Sequence, residues 1–261
     1  MADLTKKPDD SVNKTGGTTS KARGIQKTGG GIKINSNTNL PALQRKLREA
    51  KAAEAAAPAT DATALANRIG LMLDCSGSMG SAEDRGGKAK IELLKDAMLA
   101  FLGGCNFTDT SCAVNTFPHS DGQGCVMKLT NNPVMLNFAL MGLQDHGGTP
   151  MHRSMQEMLE SESITRAIIV SDGDADSGED AREQARCFAN AEIMIDCVHI
   201  GRSSGGEALL AEIAKITGGL YIKFTDVENF AKNFSYLTPA KRYLALAPGA
   251  ASLLGATEIK S

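Results

Sequence analysis

The chain has 261 residues, 42% of them hydrophobic, enough for one domain with a sizeable core and an extension. It has no Trp and only 4% aromatic residues, which argues against a nucleic-acid platform of stacked rings. The net charge of -2 hides an asymmetry: residues 1–60 carry 11 Lys/Arg against 5 Asp/Glu, whereas the other 201 carry 17 against 25, so a basic arm (+6) is joined to an acidic body (-8).

The first residues, Met-Ala-Asp-Leu-Thr-Lys-Lys, contain no apolar segment of the kind that makes a secretory signal, and no run approaches the roughly 20 apolar residues that span a bilayer. The expectation is a soluble intracellular, cytoplasmic protein, with a virion component as the alternative. Residues 1–40 are rich in Gly, Thr, Ser, Asn and Lys, with sparse apolar residues, so burial cannot offset the entropy of ordering them. They are predicted to be disordered in isolation. Such an arm either touches an acidic partner or nucleic acid, pairs with its own acidic body, or keeps the chain soluble. Residues 41–66 read as an Ala-rich helix and linker: Pro41 suits a first helical turn, Leu43 and Leu47 are four apart, and Pro58 ends the run. The apolar stripe is thin, so this helix docks on the body or acts as a linker.

The body, residues 67–237, alternates short apolar runs with helical periods. Strands are predicted at 69–73, 111–117, 124–129, 164–171, 193–200 and 220–224. Helices are predicted at 88–102, 133–141, 151–160, 179–190, 207–217 and 227–237. The turn with Pro118, Ser120, Asp121 and Gly122 makes the second and third strands a hairpin. This pattern specifies an α/β fold of doubly wound, Rossmann-like type. Its sheet has six strands, mostly parallel with one antiparallel edge strand, and helices on both faces. Residues 238–261 show no period and read as a C-terminal tail. Six cysteines (Cys75, Cys105, Cys112, Cys125, Cys187 and Cys197) form no Cys-x-x-Cys pair and fit reduced thiols better than a disulfide framework.

Open α/β sheets bind ligands at the carboxyl ends of their strands, which directs attention to three loops. After the first strand comes Asp74-Cys75-Ser76-Gly77-Ser78, which sets one carboxylate and two hydroxyls at alternate positions. Before the helix at 151 comes Gly147-Gly148-Thr149-Pro150, and after the fourth strand comes Ser171-Asp172-Gly173-Asp174. The side chains are hard oxygen donors, suited to Mg2+ rather than to a soft metal. The same residue types also cap helices and satisfy turns.

Together these segments resemble the von Willebrand factor A family and its metal-ion-dependent adhesion site, in the form found in intracellular bacterial and phage members. The resemblance runs over residues 68–237. Asp74, Ser76, Ser78, Thr149 and Asp172 match the family's Asp-x-Ser-x-Ser, later Thr and later Asp. Ser171 stands where the family usually has Thr. The resemblance implies that the serines and the threonine contact a Mg2+ ion, or Mn2+ or Ca2+ in its place, directly or through water. The two aspartates often act through bound water. It also implies a non-enzymatic module that grips an acidic side chain of a partner protein, with an AAA+ ATPase of MoxR or chelatase type as a candidate. The alternative is a structural or assembly protein of a virion or other large complex that uses the body and the basic arm.

Other signals are weaker. Asp172, Asp174, Asp176, Asp180 and Glu183 imitate a calcium loop, but its sixth position is Ser177 and its preceding element is a strand. Asp174 and Asp176 either modulate the charge at the metal or are solvated. Cys75 is either a buried small side chain or a thiol near the metal. Cys197 and His199 share a strand face but lack a second close pair for zinc. His146 and His152 flank Thr149 at the rim. A phosphate loop and a second carboxylate two residues after Asp74 are both missing, so no hydrolase chemistry is expected.

Overall fold

The run at 69–73 is apolar without alternation because both faces of its strand are covered. The computed structural model describes residues 65–82, 87–118, 125–173, 175–202, 206–225, 229–230, 233–242, 251–252, 256 and 258–260. The predicted basic arm at 1–40 and nearly all of the predicted helix and linker at 41–66 lie outside these residues.

In chain order the elements are β1 (Asn67–Asp74), α1 (Lys90–Gly103), β2 (Thr110–Phe117), β3 (Cys125–Thr130), α2 (Pro133–Met141), α3 (Met151–Ser161), β4 (Arg166–Ser171), α4 (Gly178–Asn190), β5 (Met194–Ile200), α5 (Glu207–Thr217), β6 (Tyr221–Phe224) and β7 (Glu258–Lys260). The sheet order is β3-β2-β1-β4-β5-β6-β7. β1, β2, β4, β5 and β6 run parallel, and β3 and β7 are antiparallel edges. The fold class is the expected one, and the sheet is one strand wider than expected. Three residues of the stretch read as a tail pair with β6, as Ile222 opposite Ile259 shows. A strand of three residues is too short to display a period. The predicted helix at 227–237 appears in its described part as helical residues 229–230 and a 3-10 turn over Phe234–Leu237.

Local signals explain the helix ends. The Asn132 side chain accepts the Val134 and Met135 N–H groups while Pro133 opens α2. Gly218, at φ 70°, ends α5 in the left-handed conformation. Alternating side chains send Leu71 and Leu73 toward Leu94, Met98 and Phe101 of α1 and Leu136 and Leu140 of α2. On the other face, Met72 and Ile169 join Met155 of α3, Phe188 of α4 and Ile213 of α5.

At the amino ends of the strands, Asp196 is fully buried between two guanidinium groups. It accepts Arg166 Nε at 2.8 Å, Arg242 Nε at 2.9 Å and Arg242 Nη2 at 2.8 Å, and Arg166 Nη2 closes on it as well. From β1 the chain winds one way to β2 and the other way to β4. The crevice of the fold therefore opens between the carboxyl ends of β1 and β4.

Candidate metal centre

β1 delivers Asp74 to that crevice, where it is fully buried. Its Oδ1 accepts the Ser76 backbone N–H at 2.8 Å, and its Oδ2 accepts the Ser171 hydroxyl at 2.5 Å. Ser171 ends β4, so the neighbouring strand holds the carboxylate in place. Among the described residues no cation pairs with Asp74. Burial pushes its carboxyl up to about 6, against the opposing hydrogen bonds from Ser171 and Ser76.

The two serines stand beside it. Ser76 Oγ lies 3.0 Å from Ser78 Oγ, and Ser78 Oγ donates to Asp172 Oδ1 at 2.8 Å. Asp74, Ser76 and Asp172 are buried while Ser78 is exposed, so the group opens to solvent on the Ser78 side. Asp172 follows β4 directly across the crevice from Asp74.

Thr149 arrives on the loop between α2 and α3. Gly77 N–H donates to the Gly147 carbonyl at 3.1 Å, and His146 N–H donates to the Cys75 carbonyl at 2.7 Å. Gly147 makes this crossing at φ 63°, where a Cβ would stand 3.0 Å from Pro118 Cγ. Asp176 fastens the other side of the loop. Thr149 N–H donates to Asp176 Oδ1 at 2.9 Å, and Asp176 N–H donates to the Thr149 carbonyl at 3.0 Å. Backbone bonds thus dock the Thr149 loop on the serine loop. Among the described residues the Thr149 hydroxyl is not hydrogen-bonded to Ser76 or Ser78.

Three neighbours carry more than the sequence reading gave them. Ser171, assigned no part there, braces Asp74. Asp176, left between a charge modulator and a solvated residue, clasps Thr149. Lys90 lies outside the predicted ligand set. It opens α1, is buried, and places Nζ 2.5 Å from Asp172 Oδ2. A helical signal was available, because Lys90 lies on the same buried stripe as Leu94, Ala97 and Phe101.

Cys75 points into the core, and burial pushes its thiol up to about 12, so it is not a reactive thiol beside the ligands. Cys197 and His199 are fully buried on β5. Among the described residues no group of three or more His, Cys, Asp or Glu side chains is placed to hold a metal. The candidate centre therefore stands on hydroxyls as much as on carboxylates.

No protein-family model and no curated protein sequence matches this chain. Solved structures do match. The VWA domain of SpRpn10 aligns over 62% of this chain and 94% of its own, with a TM-score of 0.51 and 14% identity. Proximal thread matrix protein 1 from the mussel byssus aligns over 64% of this chain but 43% of its own, with a TM-score of 0.53 and 16% identity. Its form with a zinc-occupied MIDAS motif aligns over 66% of this chain and 48% of its own, with a TM-score of 0.50 and 13% identity. This chain thus spans less than half of the mussel protein. At these identities the likeness is one of fold, and the fold of the body is of von Willebrand factor A type.

Proposed function

We propose that the body is a non-enzymatic interaction module that holds one divalent cation and uses it to grip an Asp or Glu of a partner protein. Mg2+ is the proposed ion, with Mn2+ or Ca2+ able to replace it. The observation that carries the reading is a buried carboxylate, Asp74, that no cation pairs with among the described residues, beside oxygens at coordination spacing. Metal–oxygen bonds of about 2.0–2.1 Å give an octahedron with edges of about 2.9 Å. Ser76 Oγ to Ser78 Oγ is 3.0 Å and Ser78 Oγ to Asp172 Oδ1 is 2.8 Å, hydrogen-bond lengths that equal such an edge, so an ion could replace these bonds without moving the three oxygens apart.

In this reading Ser76, Ser78 and Thr149 supply hydroxyl oxygens, and Asp74 and Asp172 supply negative charge, directly or through water. The bound ion supplies electrostatic attraction for an incoming carboxylate. The chain's own residues do the positioning. Ser171 and the Ser76 N–H orient Asp74, and Asp176 and Gly147 hold the Thr149 loop over the crevice. A zinc-occupied motif in the mussel protein, on the same fold, supports a divalent ion here. The proposed partner is an AAA+ ATPase of MoxR or chelatase type, and the proposed location is the cytoplasm, where thiols such as Cys105 and Cys187 stay reduced.

Affinity purification of the full chain, run in Mg2+ and in EDTA and repeated with Asp74→Ala, tests the reading. Mg2+ should recover a partner that EDTA and Asp74→Ala both release, and an AAA+ ATPase should be among the recovered proteins. Equal recovery in all three conditions would contradict a metal-mediated grip.

A further inference from the structure

Lysine is an unfavourable choice where Lys90 stands. The first turn of a helix presents unpaired N–H groups and a positive dipole end, which repel a cation. The position is also buried, on a stripe otherwise filled by Leu94, Ala97, Met98 and Phe101. A buried ammonium needs a charged partner. Lys90 has one in Asp172, whose two oxygens divide their work: Oδ2 takes Lys90 Nζ at 2.5 Å, while Oδ1 takes the Ser78 hydroxyl at 2.8 Å. The ammonium thus approaches Asp172 on one oxygen and leaves the other facing the hydroxyls.

Charge counting gives this arrangement a consequence. Asp74 and Asp172 alone would carry two negative charges, and a divalent ion would cancel them. Lys90 on Asp172 makes this group one unit more positive than the same residues without it, with or without the ion. We propose that Lys90 is a built-in countercharge that makes the metal-loaded centre more positive, so that it binds a partner's carboxylate more tightly while holding the metal more weakly. The inference rests on the metal reading above. Lys90 stays on Asp172 Oδ2 in both states and is a positioning and charge-setting residue, not a ligand.

The test uses the full chain with Lys90→Gln, which keeps a hydrogen-bond donor without charge, and Lys90→Arg, which keeps the charge. Thermal melts confirm that each variant folds. Calorimetry with MgCl2 measures metal affinity. Acetate titrated into Mn2+-loaded protein, followed by water-proton relaxation, measures attraction for a simple carboxylate. Lys90→Gln should tighten metal and weaken acetate, each by at least about tenfold, a floor below the roughly hundredfold that a unit charge about 6 Å away gives at an effective dielectric of roughly 20 before salt screening. Lys90→Arg should stay within about twofold of the unchanged chain on both axes. A merely structural clamp would lower both affinities together or neither, and that result overturns the inference while leaving the metal reading intact. An unchanged chain that binds neither Mg2+ nor Mn2+ overturns both. Should Lys90→Gln fail to fold, Lys90→Met, which fills the same apolar stripe, carries the same pair of expectations.

Discussion

Replacing Asp196 should be among the most damaging single changes in the protein. Its carboxylate is fully buried and accepts hydrogen bonds from Arg166, from Arg242 and, at 2.8 Å, from the Leu220 backbone N–H. Arg166 also donates to the Leu237 carbonyl at 2.9 Å, so the cluster ties β4, β5, the start of β6 and the segment after Phe234. Asp196→Ala leaves two guanidinium groups facing each other with no counterion. Breaking a buried ion pair in this way costs about 3–5 kcal/mol, a large share of a whole-domain stability of about 5–15 kcal/mol. For a domain of this size that corresponds to a fall in melting temperature of about 6–20 °C. There is no Trp, so circular dichroism during urea and thermal unfolding is the suitable readout. Burial alone would push the Asp196 carboxyl up, but the hydrogen bond from Arg242 and the charges of both arginines outweigh it and hold it below the usual carboxylate range. Its stabilisation is therefore complete above the unfolded carboxylate value of about 4 and is lost as pH falls through the folded value. Asp196→Asn should remove that part of the acid sensitivity. A loss below about 1 kcal/mol in Asp196→Ala, or unchanged acid sensitivity in Asp196→Asn, would refute the assignment of this cluster as the main tie at the amino ends of the strands.

Ser171→Ala removes the hydroxyl that holds Asp74 Oδ2 and should weaken Mg2+ binding by about 10–100-fold, the usual range for a group that orients a ligand. Calorimetry showing an unchanged affinity would argue against that brace. Asp176→Ala cuts the clasp on Thr149, so amide exchange should speed up over residues 145–149 and Mg2+ affinity should fall by about tenfold. Unaltered exchange there would mean that Gly147 and His146 hold the loop without it. Under native conditions a maleimide should label the half-buried Cys105 and Cys187 well before Cys75, whose burial pushes its thiol up to about 12. Mass spectrometry finding Cys75 among the first labelled sites would show that its strand end opens.

The sequence made the centre of the sheet readable because burial on both faces leaves long apolar runs, and each run ends in residues that only a loop tolerates. Asp74 and Asp172 stand at two such ends, so the switch between β1 and β4 could be located before the strands were paired. β7 was not legible, since a three-residue edge strand owes its existence to β6 beside it. The part of Lys90, and the clasp of Asp176 on Thr149, are not legible for a different reason. A charged residue at a helix start or in a polar loop reads as solvated, and only the position of a partner far along the chain shows otherwise. Lys90 meets Asp172 across 82 residues, and Thr149 meets Asp176 across 27. In the sequence Ser171 is only a departure from a pattern, because its value lies in a bond to Asp74 on the neighbouring strand.

The most direct test is calorimetric titration of MgCl2 and MnCl2 into the full chain, stripped with EDTA and dialysed, alongside Asp74→Ala and Thr149→Ala. The account predicts a single ion per chain for the unchanged protein, with affinity lost or strongly reduced in both variants while their folded circular dichroism spectra persist. Absence of saturable binding to the unchanged chain, or binding that neither substitution alters, would contradict it.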